Sequence, residues 1–257
     1  LVVSTAILRG IVIHERRPRD AARHFGRDLM AGLRFVARQR LLVTLGIAVG
    51  VWQMCHHAAV VVQILFATRT LGLTEQSVGL SFTAMGVGTV LASVFGHRIS
   101  PRLGPGPCLV LGFGVCAAGW LLLAAAPAGP FGVAAFAAML LLFGVGAVLV
   151  FINFLSLRQA VTPEPLLGRM TSTMRWLIIL PAGPGALLGG WLGEHVGLRS
   201  ALWFAGGSAL LLAVVAAQVP TIRRVRELPR PESSDDWVGA EAEVAPQPIA
   251  QVAREGA

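Results

Sequence analysis

Charge and apolarity are segregated along this chain. Six long apolar blocks, at about 41–67, 78–99, 107–126, 131–156, 172–193 and 199–219, alternate with short polar joints. Apolar runs of about 18 or more residues predict membrane-spanning helices, because about 20 residues at 1.5 Å rise cross the hydrocarbon. The joints fall near 69–76, 99–106, 126–130, 157–169 and 194–200. The pattern predicts an all-α membrane protein, a bundle of six transmembrane helices.

Composition points the same way. Of 257 residues, 55% are hydrophobic and 13% charged. Mean hydropathy is +0.71. A soluble domain carries about 25% charge, so this chain has too little polar surface to coat a water-facing globule. The net charge is +8, and every basic residue is Arg. Nucleic acid is not the partner this charge implies, because the arginines sit in the joints between apolar blocks. Cys55, Cys108 and Cys116 lie inside apolar blocks without metal or redox spacing. No metal, cofactor or disulfide framework is expected.

The arginines also orient the chain. Arg9, Arg16, Arg17, Arg19, Arg23, Arg27, Arg34, Arg38 and Arg40 precede the first span. Arg98 and Arg102 follow the second span, Arg158 and Arg169 the fourth, and Arg223, Arg224, Arg226 and Arg230 the sixth. The opposite side holds only Arg69 and Arg199. Six spans with both ends in the cytoplasm give this alternation, in a multi-pass protein of the cell membrane.

Three regions follow. Residues 1–40 read as the end of a preceding span plus a cytoplasmic linker. Within it, Phe25, Leu29, Leu33 and Val36 recur at helical spacing among charged residues, as in an amphipathic surface helix. Residues 41–219 are the bundle. Residues 220–257, rich in Pro, Glu, Ser and Ala, read as a disordered cytoplasmic tail. The opening LVVSTAIL resembles the tail of an apolar segment, and the simplest expectation is a chain that continues upstream.

Small residues punctuate the spans. Gly46 and Gly50 in the first, and Gly185, Gly189 and Gly193 in the fifth, have the spacing of close helix contacts. The fifth span also carries Pro181, Gly183, Pro184 and Gly185 near its middle. Two prolines remove two backbone donors and bend the helix there. Interrupted helices are moving, substrate-lining elements in transporters. The joints after spans two and five share a glycine-bounded pattern, GHRISPRLG at 96–104 and GEHVGLR at 193–199. They lie on opposite faces, as an inverted 3+3 repeat requires.

Polar residues inside the spans are few. Gln53, His56, His57 and Gln63 fall within about 120° of one helix face at 100° per residue. Asn153 and Ser156 are a weaker set in the fourth span. Buried polar groups in a membrane face a bundle interior or a cavity. These six are therefore candidates for lining a substrate cavity, against the plainer role of hydrogen bonding between helices. Adjacent His side chains diverge by about 100° on a helix, which argues against a metal pair. No Asp or Glu lies within a span; Glu75, Glu164 and Glu194 are in joints or at helix ends.

Several stretches resemble the C-terminal half, helices seven to twelve, of the major facilitator superfamily, and its drug- and siderophore-exporting branch in particular. HFGRDLMAGLRFVARQRLLVTL resembles that family's central loop entering its seventh helix. LGLTEQSVGLSFTAMGVGTVLASVFGHRISPRLG resembles its seventh-to-ninth helix region. The 151–202 stretch is the most specific, with Asn153, Arg158, Gln159, Pro163, Gly168, Arg169, Arg175, Pro181, Gly183, Gly189 and Gly190 where the family tends to have such residues. In the cytoplasmic loop motif, Arg102 and Gly104 match, but the motif's glycine is shifted to Gly96 and Pro101 stands where the family usually has Asp.

The resemblance implies a secondary transporter that exports amphipathic small molecules by alternating access, with partners in membrane lipid and a second six-helix half, either missing upstream or supplied by a second copy. With no acidic residue in a span, a proton-coupling carboxylate would lie in that other half, and His56 or His57 is the substitute here. The alternatives are a non-transporting membrane scaffold or sensor, or a membrane-embedded enzyme, for which the spans offer histidines without carboxylates.

Overall fold

A computed structural model of the chain describes residues 25–163 and 166–225. All regular structure among them is helical. A short helix α1 (Phe25–Arg38) leads into α2 (Arg40–Arg69), α3 (Glu75–Leu103), α4 (Pro105–Ala125) and α5 (Pro130–Ala160). Two half-length helices follow, α6 (Leu167–Ile179) and α7 (Ala182–His195), then α8 (Leu198–Gln218) and a single turn, α9 (Pro220–Arg223). The spans α2, α3, α4, α5, α6–α7 and α8 are each long and apolar enough to cross a membrane. The longer helices overrun the predicted blocks, because hydropathy registers hydrocarbon depth while helical hydrogen bonding continues into the polar interface.

Helix starts follow local chemistry. Thr74 caps α3, its Oγ1 accepting the Ser77 N–H at 3.2 Å, with Glu75 in the first turn. Pro105 and Pro130 open α4 and α5, where a missing N–H costs nothing. Two glycines mark corresponding corners. Gly104 (φ 89°, ψ 154°) precedes the third span of the first unit and Gly197 (φ 118°, ψ 152°) the third span of the second. A Cβ is strained at such φ values.

The packing repeats as the corners do. The second span packs on the fourth as the fifth packs on the first, and the third and sixth spans pack on each other. Glycines fix the register. A Cβ at Gly88 would collide with the Leu141 backbone, and Gly96 faces Leu149, the same step on along both helices. A Cβ at Gly185 would collide with the Met54 backbone, and Gly193 faces Val62, again the same step along both. The fold is a pair of three-helix units in inverted orientation, the 3+3 repeat expected from the loop patterns. Direct backbone approach replaces side-chain packing at Gly88 and Gly185.

Two apolar cores fill the interior. One, at the arginine-rich end, holds Leu42, Trp52, Phe113, Phe154, Met170 and Met174. The other holds Phe66, Trp120, Leu123, Phe136, Met139 and Leu202. Between them is a waist of small residues, Cys55, Ala117 and Ala209. Helix α1 belongs to the first core: Phe35 and Val36 are buried, and Gly32 lies against Thr173 and the Arg169 carbonyl of α6. Leu33, expected in its apolar stripe, is 42% exposed. Docking on α6 rather than hydropathy alone decides which face turns inward. Beyond Gln218, α9 continues the packed structure, with Ile222 buried. The opening apolar segment, the first part of the linker and the tail from 226 lie outside the described residues.

Candidate functional site

The first helices of the two units, α2 and α5, approach each other with little backbone contact. Aromatic rings bridge the seam midway along both. His56 stacks on Phe143 at 4.4 Å between centroids and 13° between planes, and Trp52 lies near parallel to both, 5.8 Å from His56 and 6.2 Å from Phe143. Trp52 also meets Phe151 edge-on at 5.6 Å, and Trp120 of α4 stands 5.9 Å from His56. Offset and edge geometries of this kind suit aromatic quadrupoles.

Three candidate residues sit on this seam and are partly exposed: Gln53, His56 and His57. His57 Nδ1–H donates to the Gln53 carbonyl at 2.9 Å. That bond fixes the ring and leaves Nε2 as an acceptor. His56 Nδ1 and Trp120 Nε1 are buried without a partner among the described residues, as is Gln63 Oε1 one core further on. Polar atoms at membrane depth carry a desolvation cost unless something bonds them. The arrangement offers hydrogen-bonding groups beside broad aromatic faces.

The structure separates the remaining candidates from this group. Gln63 is buried, 7% exposed, toward the second core. Asn153 is 2% exposed and joins two spans: its Oδ1 accepts from Ser100 Oγ of α3 at 2.7 Å, and its Nδ2 donates to the Leu149 carbonyl. Ser156 Oγ donates to Ile152 O within its own helix. Cys55 Sγ accepts from Ser208 Oγ at 3.1 Å, tying α2 to α8.

The bend in the fifth span interrupts the helical hydrogen bonds, while Leu180 and Pro181 at the joint keep helical backbone angles. Helix α6 ends at Ile179 and α7 begins at Ala182. Pro181 and Pro184 lack the donors that would reach the Leu177 and Leu180 carbonyls. Pro184 falls in the first turn of α7, where donors have no helical acceptor anyway. Gly50 of α2 lies against the Leu177 carbonyl and the Pro181 ring, so the break is sheltered by the helix that carries the histidines. Gly185 is in tight backbone contact, while a Cβ at Gly183 would meet nothing within 4 Å.

The loop-motif residues gather at the arginine-rich end. Pro101 and Arg102 occupy the last turn of α3 and are exposed; Gly104 closes it, its N–H donating to Ser100 O at 2.8 Å. Gly96 contacts Leu149. Arg158 places its guanidinium 5.4 Å from the Phe154 ring centroid. Arg169 and Arg175 are exposed on α6. Sequence reasoning missed Arg199 at the other end. Its Nη1 and Nη2 donate to the Ala124 and Ala126 carbonyls at 2.8 and 2.9 Å, and it stacks over Phe66 at 5.3 Å. A guanidinium there closes the C-terminus of α4. It also missed Trp52, Phe143 and Phe151, although the spacing of Trp52 and His56 places them on one helix face.

An inverted pair of three-helix units, built from six spans long and apolar enough to cross a membrane, defines a polytopic membrane protein. The family model described as Major Facilitator Superfamily matches residues 25–255, and the chain belongs to that family. It is therefore a secondary transporter in general class, from a family that is normally not enzymatic. A comparison with curated proteins finds no match.

Proposed function

We propose that the chain forms one six-helix half of an exporter of amphipathic small molecules, of the drug- or siderophore-exporting kind, working by alternating access and driven by proton exchange. The observation that carries this reading is the α2–α5 seam. Gln53, His56 and His57 are partly exposed midway across the membrane, beside Trp52, Phe143 and Phe151. Polar side chains at that depth are stable facing a water-filled path and costly facing lipid. A planar amphipathic solute would stack on the rings and donate to His57 Nε2. A second six-helix bundle, from upstream sequence or a second copy, would close the other side, with both ends of this one cytoplasmic. The broken fifth span would let its two halves tilt as the path opens alternately.

The test uses the full-length protein with its native cysteines replaced and Gln53→Cys introduced. A membrane-impermeant maleimide should label this position, and a transported amphipathic dye should slow labelling about tenfold by occupying the path. His57→Gln should reduce proton-driven efflux of the same dye. A position that never labels, or labels equally with and without dye, would favour a scaffold without a transport path.

A further inference from the structure

We propose that the arginine-rich end of the bundle is a docking surface for the chain's own acidic segment, residues 231–253. Arg38 and Arg40 flank the joint of α1 and α2, Arg98 and Arg102 lie in the last turns of α3, and Arg223 and Arg224 end α9; all six are exposed. The three sites share one end of the molecule. The Gly106 N–H at the start of α4 donates to Val225 O at 3.1 Å, and Ile222 is buried in the same core as Phe35 and Leu42. Among the residues whose side chains are described, the acidic ones are Glu75 and Glu194, at the opposite end, in the first turn of α3 and the last of α7. Nothing acidic among them offsets this face.

The densest acidic run of the chain lies further on. Residues 231–253 hold Glu232, Asp235, Asp236, Glu241 and Glu243 and no basic residue. The chain enters that segment from Val225, on the arginine face itself. At about 3.3 Å per extended residue, Asp235 and Asp236 reach about 35 Å from Val225, enough to cross the end of a six-helix bundle. Each exposed ion pair is weak alone. A tether changes this, because the segment meets the face at an effective concentration of order mM and engages several arginines together. Anionic lipid headgroups attract the same arginines, but they are not tethered to the face.

The experiment places p-benzoylphenylalanine at Trp237 of the full chain, in neutral detergent and in vesicles with and without phosphatidylglycerol, and maps photo-crosslinks by mass spectrometry. Crosslinks are expected on peptides from the α1–α2 and α3–α4 joints. They should fall about five-fold at ~0.5 M NaCl, where the Debye length shrinks to about 4 Å. Reversing the tail with Glu232→Arg, Asp235→Arg and Asp236→Arg, which leaves the bundle untouched, should lower them equally. Adding Arg98→Glu, Arg102→Glu and Arg223→Glu to that variant should restore them. Crosslinks indifferent to tail reversal would overturn the proposal. Their complete loss in phosphatidylglycerol vesicles would assign the face to the membrane and overturn it as well.

Discussion

The second and fifth spans hold equivalent places in the two units, and they differ in one respect. Helix α3 runs unbroken for 29 residues, whereas the fifth span is divided into α6 and α7. Both are equally peripheral, with 22% of their most apolar stretch buried, against 56% for α2. Both press glycines onto a neighbouring backbone in the same register, Gly88 on Leu141 and Gly185 on Met54. Aligned on those glycines, the positions of Pro181 and Pro184 correspond to Ala84 and Val87 in α3. The contacts that build the fold are shared, and two residues decide which copy is divided. The proline of α3, Pro101, sits in its last turn and leaves the helix continuous.

The largest effects should come from the shared glycines. Gly185→Leu and Gly88→Leu force backbones apart and should each cost about 3 kcal/mol or more, read as loss of monodisperse protein after extraction. Gly183→Leu and Gly86→Leu, where a Cβ meets nothing, should stay within about 0.5 kcal/mol. Tolerance at Gly88 with intolerance at Gly185 would break the equivalence of the two spans. Next comes an imposed break: Ala84→Pro should cost about 3 kcal/mol in thermal unfolding, because it removes a helical bond of α3 and sets the proline ring against the Leu80 carbonyl, to which Thr83 Oγ1 already donates.

Smaller changes sharpen the comparison. Arg199→Ala removes two charge-assisted bonds to carbonyls and should cost about 2 kcal/mol in a thermal melt, while Arg102→Ala, exposed in the corresponding joint, should cost little. Pro181→Ala with Pro184→Ala should be the mildest for stability, a gain of about 1 kcal/mol at most, since both prolines already sit at a helix start. Efflux by that variant should nonetheless slow, because a continuous fifth span loses its joint.

Much of this was legible in the residues. Apolar runs located all six spans, since burial in lipid leaves a one-dimensional signal. The prolines located the break, and GHRISPRLG with GEHVGLR pointed to the inverted units. The contacting partners were not legible. In a uniformly apolar helix nothing in the local pattern distinguishes Gly185, against a backbone, from Gly183, in open space. Asn153 read as one of the polar in-span residues, but its partner Ser100 lies on another span, so its bond between spans has no local signature. The seam depends on Trp120 and Phe143 meeting His56, residues far apart in sequence and individually unremarkable in an apolar run. The stretch from 226 to 255 is covered by the family match and lies outside the described structure.

The division of labour between the two spans has a direct measurement. Spin labels at Ser172→Cys and Trp191→Cys bracket the break, and labels at Leu80→Cys and Arg98→Cys bracket the matching length of α3; all four positions are exposed. Pulsed electron–electron distances would be taken in the full-length protein with native cysteines replaced, with and without a transported dye. The expected result is a distance across the break that shifts or splits on adding dye, while the distance along α3 stays single and fixed. A fixed distance in both spans, or equal movement in both, would contradict a hinged fifth span working against a rigid second.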